Sequence, residues 1–288
     1  MRVSVVVPTY GRERALCTTV VALLDQSFRD FEVIVVDQTP KHDLETERFF
    51  ADRAGRLRWH REARVSLPHA RNVGLQLATG EVVVFVDDDA VPAGRDLISH
   101  HFDCYVDPTV GGVAGRIVEP LRPNAAPGIA KVNVWGRIVT NFTGDRITEV
   151  HTAKGTNMSF RHEAIRAAGG FDTRFGGTSV LEETDACYRL RSAGWRIVYE
   201  PRACVHHEMA RGGCREQSRF DGAYWLFRNS ALFYRKAKAP VGVPLFLAFF
   251  AARGVLQVAR AGGGLRGYLR LMRALGEGWR VAREEPQP

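Results

Sequence analysis

Residues 82–86 read Val-Val-Val-Phe-Val, an unbroken apolar run entered from Gly80 and closed by Asp87-Asp88-Asp89 and Pro92. Such a run reads as a strand covered on both faces, as in a parallel sheet, and this directs the chain toward an α/β architecture. The three acids then sit at the strand's carboxyl end, where open α/β sheets bind ligands. Adjacent anions repel and lose hydration when partly covered, and a cation between them and a second anion relieves both costs. Mg²⁺ or Mn²⁺ carried by a nucleoside diphosphate has that form. Alternation along an extended backbone puts Asp87 and Asp89 on one face and Asp88 on the other. The competing reading is a solvated acidic turn that caps the following helix.

The segments before this strand repeat one unit. Val3 to Val7 is a strand ending in Pro8-Thr9-Tyr10-Gly11, and helical spacing follows from Glu13 to Gln26. Phe31 to Val36 is a second strand, stopping at Asp37-Gln38-Thr39-Pro40 before a helix near Leu44 to Ala54. A short strand at Leu57 to His60 and a helix from His69 to Ala78 complete the series. Strands alternating with helices imply parallel pairing and right-handed crossovers, so the ends after Val7, Val36 and Val86 open on one edge. Each end offers a group suited to a nucleotide: Tyr10 a ring to stack, Asp37 an acceptor, Arg71-Asn72 a cation beside an amide. Singly, each is equally consistent with turn or surface packing.

Further on, Arg95 to Tyr105 reads as a helix, Val110 to Val118 as a strand, and Pro120 to Gly128 as a loop bordering the place of acceptor entry. Helices are expected at Arg161 to Ala168 and Thr184 to Ala193, with a strand from Trp195 to Tyr199. Leu181-Glu182-Glu183-Thr184-Asp185 opens the second helix, and Ser179 with Glu182 approximates a capping box. Anions are favoured there by the helix dipole, and the same placement holds a carboxylate rigid as a general base. His206-His207 follows Pro201, and imidazole is a better ligand for Mn²⁺ than for Mg²⁺.

In this order, VSVVVPTYGR, FEVIVVDQT, ARNVGLQLATGEVVVFVDDDA, GTNMSFRHEA, GGFDTRFG, EETDACYRLRSAGWRIVYEPRACVHH and FRNSALFYRK resemble a family 2 glycosyltransferase of the GT-A fold. The resemblance covers residues 3 to about 234. It implies a Rossmann-like, mostly parallel sheet flanked by helices and an inverting displacement at the sugar's anomeric carbon. It also implies that Pro8, Thr9, Tyr10, Arg12, Asp37, Arg71, Asp87 and Asp88 hold the nucleotide sugar, with Gly155 and Asn157 lining the donor sugar. Asp87 and Asp89 match the DxD pair, with Asp89 and His207 on the metal. Glu183 falls where the family has the Asp of its Glu-Asp pair, the catalytic base. The pair here is Glu-Glu, which leaves Glu182 and Asp185 as alternatives. The implied cofactor is Mn²⁺ or Mg²⁺. The implied donor is a UDP-sugar before a dTDP- or GDP-sugar, and the acceptor is a glycan or a lipid-linked hydroxyl in glycan, polysaccharide or glycolipid assembly. A silent sugar-nucleotide binder is the alternative. A sugar-phosphate nucleotidyltransferase is disfavoured because no amino-terminal Gly-rich phosphate loop is present.

The division expected is a catalytic domain over 1–238, with its nucleotide half to about 118, and a helical tail over 239–288. Half of the net charge of +8 lies from Val241 onward, where seven arginines face three glutamates. Val241 to Ala252 is apolar but too short to span a bilayer. Leu265, Tyr268, Leu269, Met272, Leu275 and Trp279 form one helical stripe, and Arg266, Arg270, Arg273, Glu277 and Arg280 the opposite one. That pattern suits an anionic membrane surface, or packing on the enzyme or a second subunit. With no aromatic-interleaved basic stripe or DNA-binding motif, nucleic acid is not an expected partner. Five cysteines without a close CxxC pair suit a reducing cytosol, and the spacing of Cys204, His206, His207 and Cys214 fits no common zinc pattern. The amino terminus enters a strand at once, with no signal peptide core, so the expected location is cytoplasmic or on the cytoplasmic membrane face.

Overall fold

The computed structural model describes residues 2–120, 130–132, 138–139, 142–210, 212–213, 219–237, 242–261 and 263–285. The chain runs β1 (Val3–Thr9), α1 (Arg14–Leu24), β2 (Phe31–Asp37), α2 (Leu44–Ala51), β3 (Arg58–Arg61), α3 (Leu67–Leu77), β4 (Val82–Val86), β5 (Ala90–Pro92) and α4 (Leu97–Asp103). It continues through β6 (Val110–Val118), β7 (Lys131–Val132), β8 (Ile138–Val139), β9 (Thr148–Val150), β10 (Asn157–Arg161), α5 (His162–Ala167), α6 (Glu182–Ser192) and β11 (Arg196–His207). The last elements are α7 (Arg219–Ala237), α8 (Val243–Ala261) and α9 (Gly264–Val281).

The main sheet has the order β3-β2-β1-β4-β10-β6-β11-β5, with β9 also on β11. Val3 pairs with Phe31 and with Val82 in parallel registers, so the ends of β1, β2 and β4 lie together on one edge, as the alternating pattern requires. Val5, Val6, Val7, Val82, Val83 and Val84 are fully buried, because helices cover both faces of these strands. The expected loop over 120–128 lies outside the described residues apart from Pro120.

The short strands β5, β7, β8 and β9 are absent from the sequence reading, and β10 and β11 depart from it in ways that shape the site. β10 inserts antiparallel between β4 and β6, and its polar residues Asn157 and Ser159 are fully buried. His101 contacts both, at 2.8 Å to Asn157 Oδ1 and 2.9 Å to Ser159 Oγ, and Tyr105 OH lies 2.8 Å from the same hydroxyl. A polar strand is tolerated inside a sheet once these partners satisfy it. β11 continues past Tyr199 through Pro201 to His207, with a register irregularity between Glu200 and Cys204 that accommodates the proline.

The residues read as a tail form a bundle with α7. Phe227, Ala231, Tyr234, Phe246, Phe250, Leu271, Ala274 and Leu275 make a second core beside that of the sheet. On α9 the buried stripe is Gly267, Leu271, Ala274, Leu275, Gly278 and Val281, which shares only Leu275 with the stripe the spacing picks out; Tyr268, Met272 and Trp279 of that stripe are half-buried. Leu265 and Leu269 are exposed instead, and Glu277 turns inward to accept from Arg228 Nε at 2.9 Å. Small residues win this face because they let α9 lie directly on α7: a Cβ at Gly278 would meet the Arg228 carbonyl oxygen at 1.9 Å.

Candidate active site

A cleft of about 560 Å³ opens over the carboxyl ends of β1 and β4. Pro8, Thr9, Tyr10, Arg12, Arg71, Asp87, Asp88, Asp89, Gly155, Glu182, Glu183 and His207 all border it, drawn from segments up to 199 residues apart. The opposite wall comes from α7 and α8, through Leu226, Ser230, Phe249, Phe250 and Arg253.

The three aspartates meet three different environments. Asp88 turns inward, accepts from Thr9 Oγ1 at 2.6 Å and is ion-paired with Arg12. Burial pushes its carboxyl up to about 6 despite the pull of the arginine. Asp87 and Asp89 share the other face, as alternation requires, and Arg71 Nη2 lies 3.3 Å from Asp87 Oδ1. Burial would raise the Asp89 carboxyl, but His207, Arg12 and the Ala210 N–H, which donates at 2.9 Å, hold it below the usual range. Arg12 is thus a counter-cation within the acid cluster, with Nη1 2.8 Å from Asp89 Oδ1, rather than a side chain extended toward a donor.

His207 closes the group. Its Nε2 is 3.3 Å from Asp89 Oδ1 and its Nδ1 3.4 Å from Glu119 Oε1. Burial favours the neutral ring, yet the bonds to Asp89 and Glu119 outweigh it and carry the imidazolium up to about 9. His206, its neighbour on β11, faces solvent. One ligand atom each from Asp87, Asp89 and His207 lie within 4.8 Å of one another. Two hard carboxylate oxygens and an imidazole nitrogen at that spacing fit a divalent ion, and the nitrogen suits Mn²⁺ better than Mg²⁺.

The acids of α6 divide as helix geometry demands, since successive residues turn by about 100°. Glu183 borders the cleft, where burial raises its carboxyl against the pull of Arg71, and the charge of Asp87 adds to the rise. Glu182 is buried at the cleft floor, ion-paired with Arg71. Asp185 points away and binds Arg189 at 2.8 Å and Lys236 at 2.7 Å, so it is no base for this cleft. The expected capping box does not form. Leu181 is the N-cap with a left-handed φ of 80°, and no side chain caps the helix.

Two expected contacts are already committed elsewhere. Asn157 lies beneath the cleft with no exposure, its amide donating to the carbonyls of Arg116 and Ala203 at 3.0 and 2.8 Å, so it does not line a sugar. Asp37 is buried at the end of β2: Thr39 N and Trp59 Nε1 donate to it, His42 Nε2 lies 2.7 Å away and Arg61 3.3 Å away. Its neighbour Gln38 borders the cleft instead. Gly155 does line the cleft, and a Cβ there would sit 2.3 Å from the Arg71 guanidinium.

Sequence reasoning passed over Glu119 and Lys154, which are ion-paired beside His207. The hydrogen bond to His207, with the nearby Lys154 charge, brings the Glu119 carboxyl down to about 2. Only the parallel pairing of β6 with β11, which sets Val118 beside His206, brings Glu119 to this place.

Residues 4–167 match the model of a family described as glycosyl transferase family 2. The chain is 30% identical over 220 residues to the glucosyl-dolichyl phosphate glucuronosyltransferase of Haloferax volcanii, covering 73% of this chain and 70% of that protein. It is 31% identical over 247 residues to the pre-mycofactocin glycosyltransferase of Mycobacterium tuberculosis, covering 84% of this chain but 47% of that protein, so it spans about half of this relative. Among solved structures it resembles a mannosyltransferase from Pyrobaculum calidifontis in complex with GDP-Man and Mn²⁺, with a TM-score of 0.62 and 22% identity, covering 100% of this chain and 76% of that one. It also resembles S. aureus TarS in complex with UDP-GlcNAc, with a TM-score of 0.67 and 20% identity, covering 98% and 81%. These likenesses establish the GT-A architecture.

Proposed function

The chain belongs to glycosyl transferase family 2 and is a glycosyltransferase, and from that premise we propose that it moves a sugar from a nucleoside-diphosphate donor to an acceptor hydroxyl with inversion. The observation that carries this reading is the meeting of Asp87, Asp89 and His207 with Glu183 in one cleft. The first three would hold Mn²⁺ or Mg²⁺, which when bound supplies Lewis-acid neutralisation of the departing diphosphate. Relatives of the fold solved with GDP-Man and UDP-GlcNAc support a nucleotide sugar as donor.

Glu183 takes the acceptor's proton. Among the described residues it is the acid of α6 that reaches the cleft without a direct ion pair, whereas Glu182 is held by Arg71 and Asp185 by Lys236. Arg71 positions both sides of the reaction by binding Asp87 and Glu182 at once. Because burial raises the Glu183 carboxyl, the base is protonated, and inactive, at a higher pH than a free glutamate would be. The acceptor is a glycan or lipid-borne hydroxyl that enters along the α7–α8 wall.

Release of nucleoside diphosphate from a panel of sugar nucleotides, with Mn²⁺, with Mg²⁺ and with chelator, tests this reading. Release from one donor is expected only with metal. Asp89→Ala and Glu183→Gln should each lower kcat by about 10²–10⁴-fold. Full activity of Glu183→Gln would remove it as the base. Donor binding without release from any donor, with lipid and glycan acceptors supplied, would instead make the protein a sugar-nucleotide binder.

A further inference from the structure

Helix α8 is inside out for a helix bordered by water. Its outward stripe is Leu245, Ala248, Ala252, Val255, Leu256 and Ala259, and Leu245, Val255 and Leu256 are 55%, 59% and 58% exposed. Only 17% of the window Val243–Arg260 is buried. Arg253 is the one charged residue between Val243 and Ala259, and it lies at the cleft rather than on the outward face. A soluble surface helix carries the reverse pattern. α9 exposes Arg266, Arg270, Arg273 and Arg280, together with Leu265 and Leu269; Arg270 is paired with Asp221 of α7 and Arg280 with Glu284, which leaves Arg266 and Arg273 as the cations for a headgroup layer.

An apolar stripe flanked by arginines is complementary to one kind of surface, acyl chains beneath anionic headgroups. A second copy of the chain is a poorer occupant, because closing the face on itself brings two arginine-rich flanks together. Spanning the bilayer is disfavoured as well, since the inner side of α8 is already spent on the bundle. Phe246 stacks on Tyr234 at 4.0 Å, and Phe250 packs edge-on to Phe227 at 5.0 Å. We propose that α8 and α9 form an in-plane docking face for an anionic bilayer, with α8 resting in the acyl boundary and the α9 arginines on the headgroups. Because α8 also supplies Phe249, Phe250 and Arg253 to the cleft, docking sets the acceptor end of the cleft against the lipid surface. That last consequence rests on the glycosyltransferase reading, whereas the docking itself does not.

The full chain is sedimented with phosphatidylcholine vesicles, and with the same vesicles containing phosphatidylglycerol. Binding to the anionic vesicles, weakened by salt and reversed by alkaline carbonate, is the expected result. Leu245→Asp with Leu256→Asp should abolish it. Arg266→Gln with Arg273→Gln should weaken it about 25-fold, at about fivefold per arginine. Nucleotide affinity measured by calorimetry reports folding and stays unchanged in both pairs, which separates loss of docking from loss of the catalytic reading. Equal binding to neutral vesicles, resistance to carbonate, no effect of the leucine pair, or a dimer in solution that this pair dissolves would each overturn the proposal.

Discussion

Arg12 shows what a side chain's neighbours do to the role its position suggests. Its guanidinium lies between Asp88 and Asp89, so the acid cluster is neutralised from within: Arg12 on Asp88, Arg71 on Asp87, His207 on Asp89. Removing one partner of a buried pair leaves an uncompensated charge. Arg12→Gln should therefore cost about 3–5 kcal/mol, with Arg12→Lys recovering part of it. Urea denaturation without metal measures this, and a loss below about 1 kcal/mol would mean that Asp88 finds another partner. The alternation of a strand told that Asp88 faces away from Asp87 and Asp89, but not that an arginine 76 residues earlier meets it. Asp37 and Asn157 illustrate the same limit. A motif gives the residue and its place on the chain, while most of the partners that consume these two side chains come from elsewhere in the fold.

At the scale of elements, α6 owes its position to more than its own sequence. Asp185, on its inner face, is tied to Lys236 of α7, and Lys236 also pairs with Asp172 in the turn before α6. Arg174 completes the clamp, 2.7 Å from Asp172 and accepting through its carbonyl from Arg228 of α7. Burial favours the neutral Asp172, but Arg174 and Lys236 overcome it and hold the carboxyl well below the usual range. The native carboxyl therefore releases its proton more readily than the unfolded one. Its contribution to stability is complete above about pH 4, the unfolded value, and is lost as pH falls toward the native value. Asp172→Asn should cost about 3–5 kcal/mol at pH 7, and the difference from wild type should shrink toward pH 2 in chemical denaturation. A difference that does not change with pH would show that the asparagine disrupts packing, not charge. The helices α1 to α6 and the strands β1 to β4, β6 and the start of β11 were legible because each carries its own period and breaker. β10 was not, since a strand with buried Asn and Ser is stable only after His101 and Tyr105 reach it.

Across the whole molecule, the cleft is shared between two cores, the sheet end that holds the acids and the bundle that supplies the facing wall. The bundle was the least legible part of the chain, because the sequence advertises large apolar residues while close helix contact selects small ones. Gly278 is where the two helices come closest, with no room for a Cβ against the Arg228 carbonyl, whereas nothing lies within 4 Å of a Cβ at Gly276. Gly278→Val should therefore push α9 off α7 and shift Leu226 and Ser230, which line the cleft one turn from Arg228 or nearer. Gly276→Ala should instead stabilise α9 by about 1 kcal/mol through helix propensity. The sheet end does not touch this contact, so Gly278→Val should leave the affinity for metal and nucleoside diphosphate within about threefold of wild type, a change of about 0.7 kcal/mol or less. Transfer to the acceptor should fall at least tenfold in the same protein. Calorimetry with the nucleotide and a transfer assay with the acceptor separate the two quantities. An equal fall in both would mean that the bundle shapes the donor pocket too, and that the two walls of the cleft move as one.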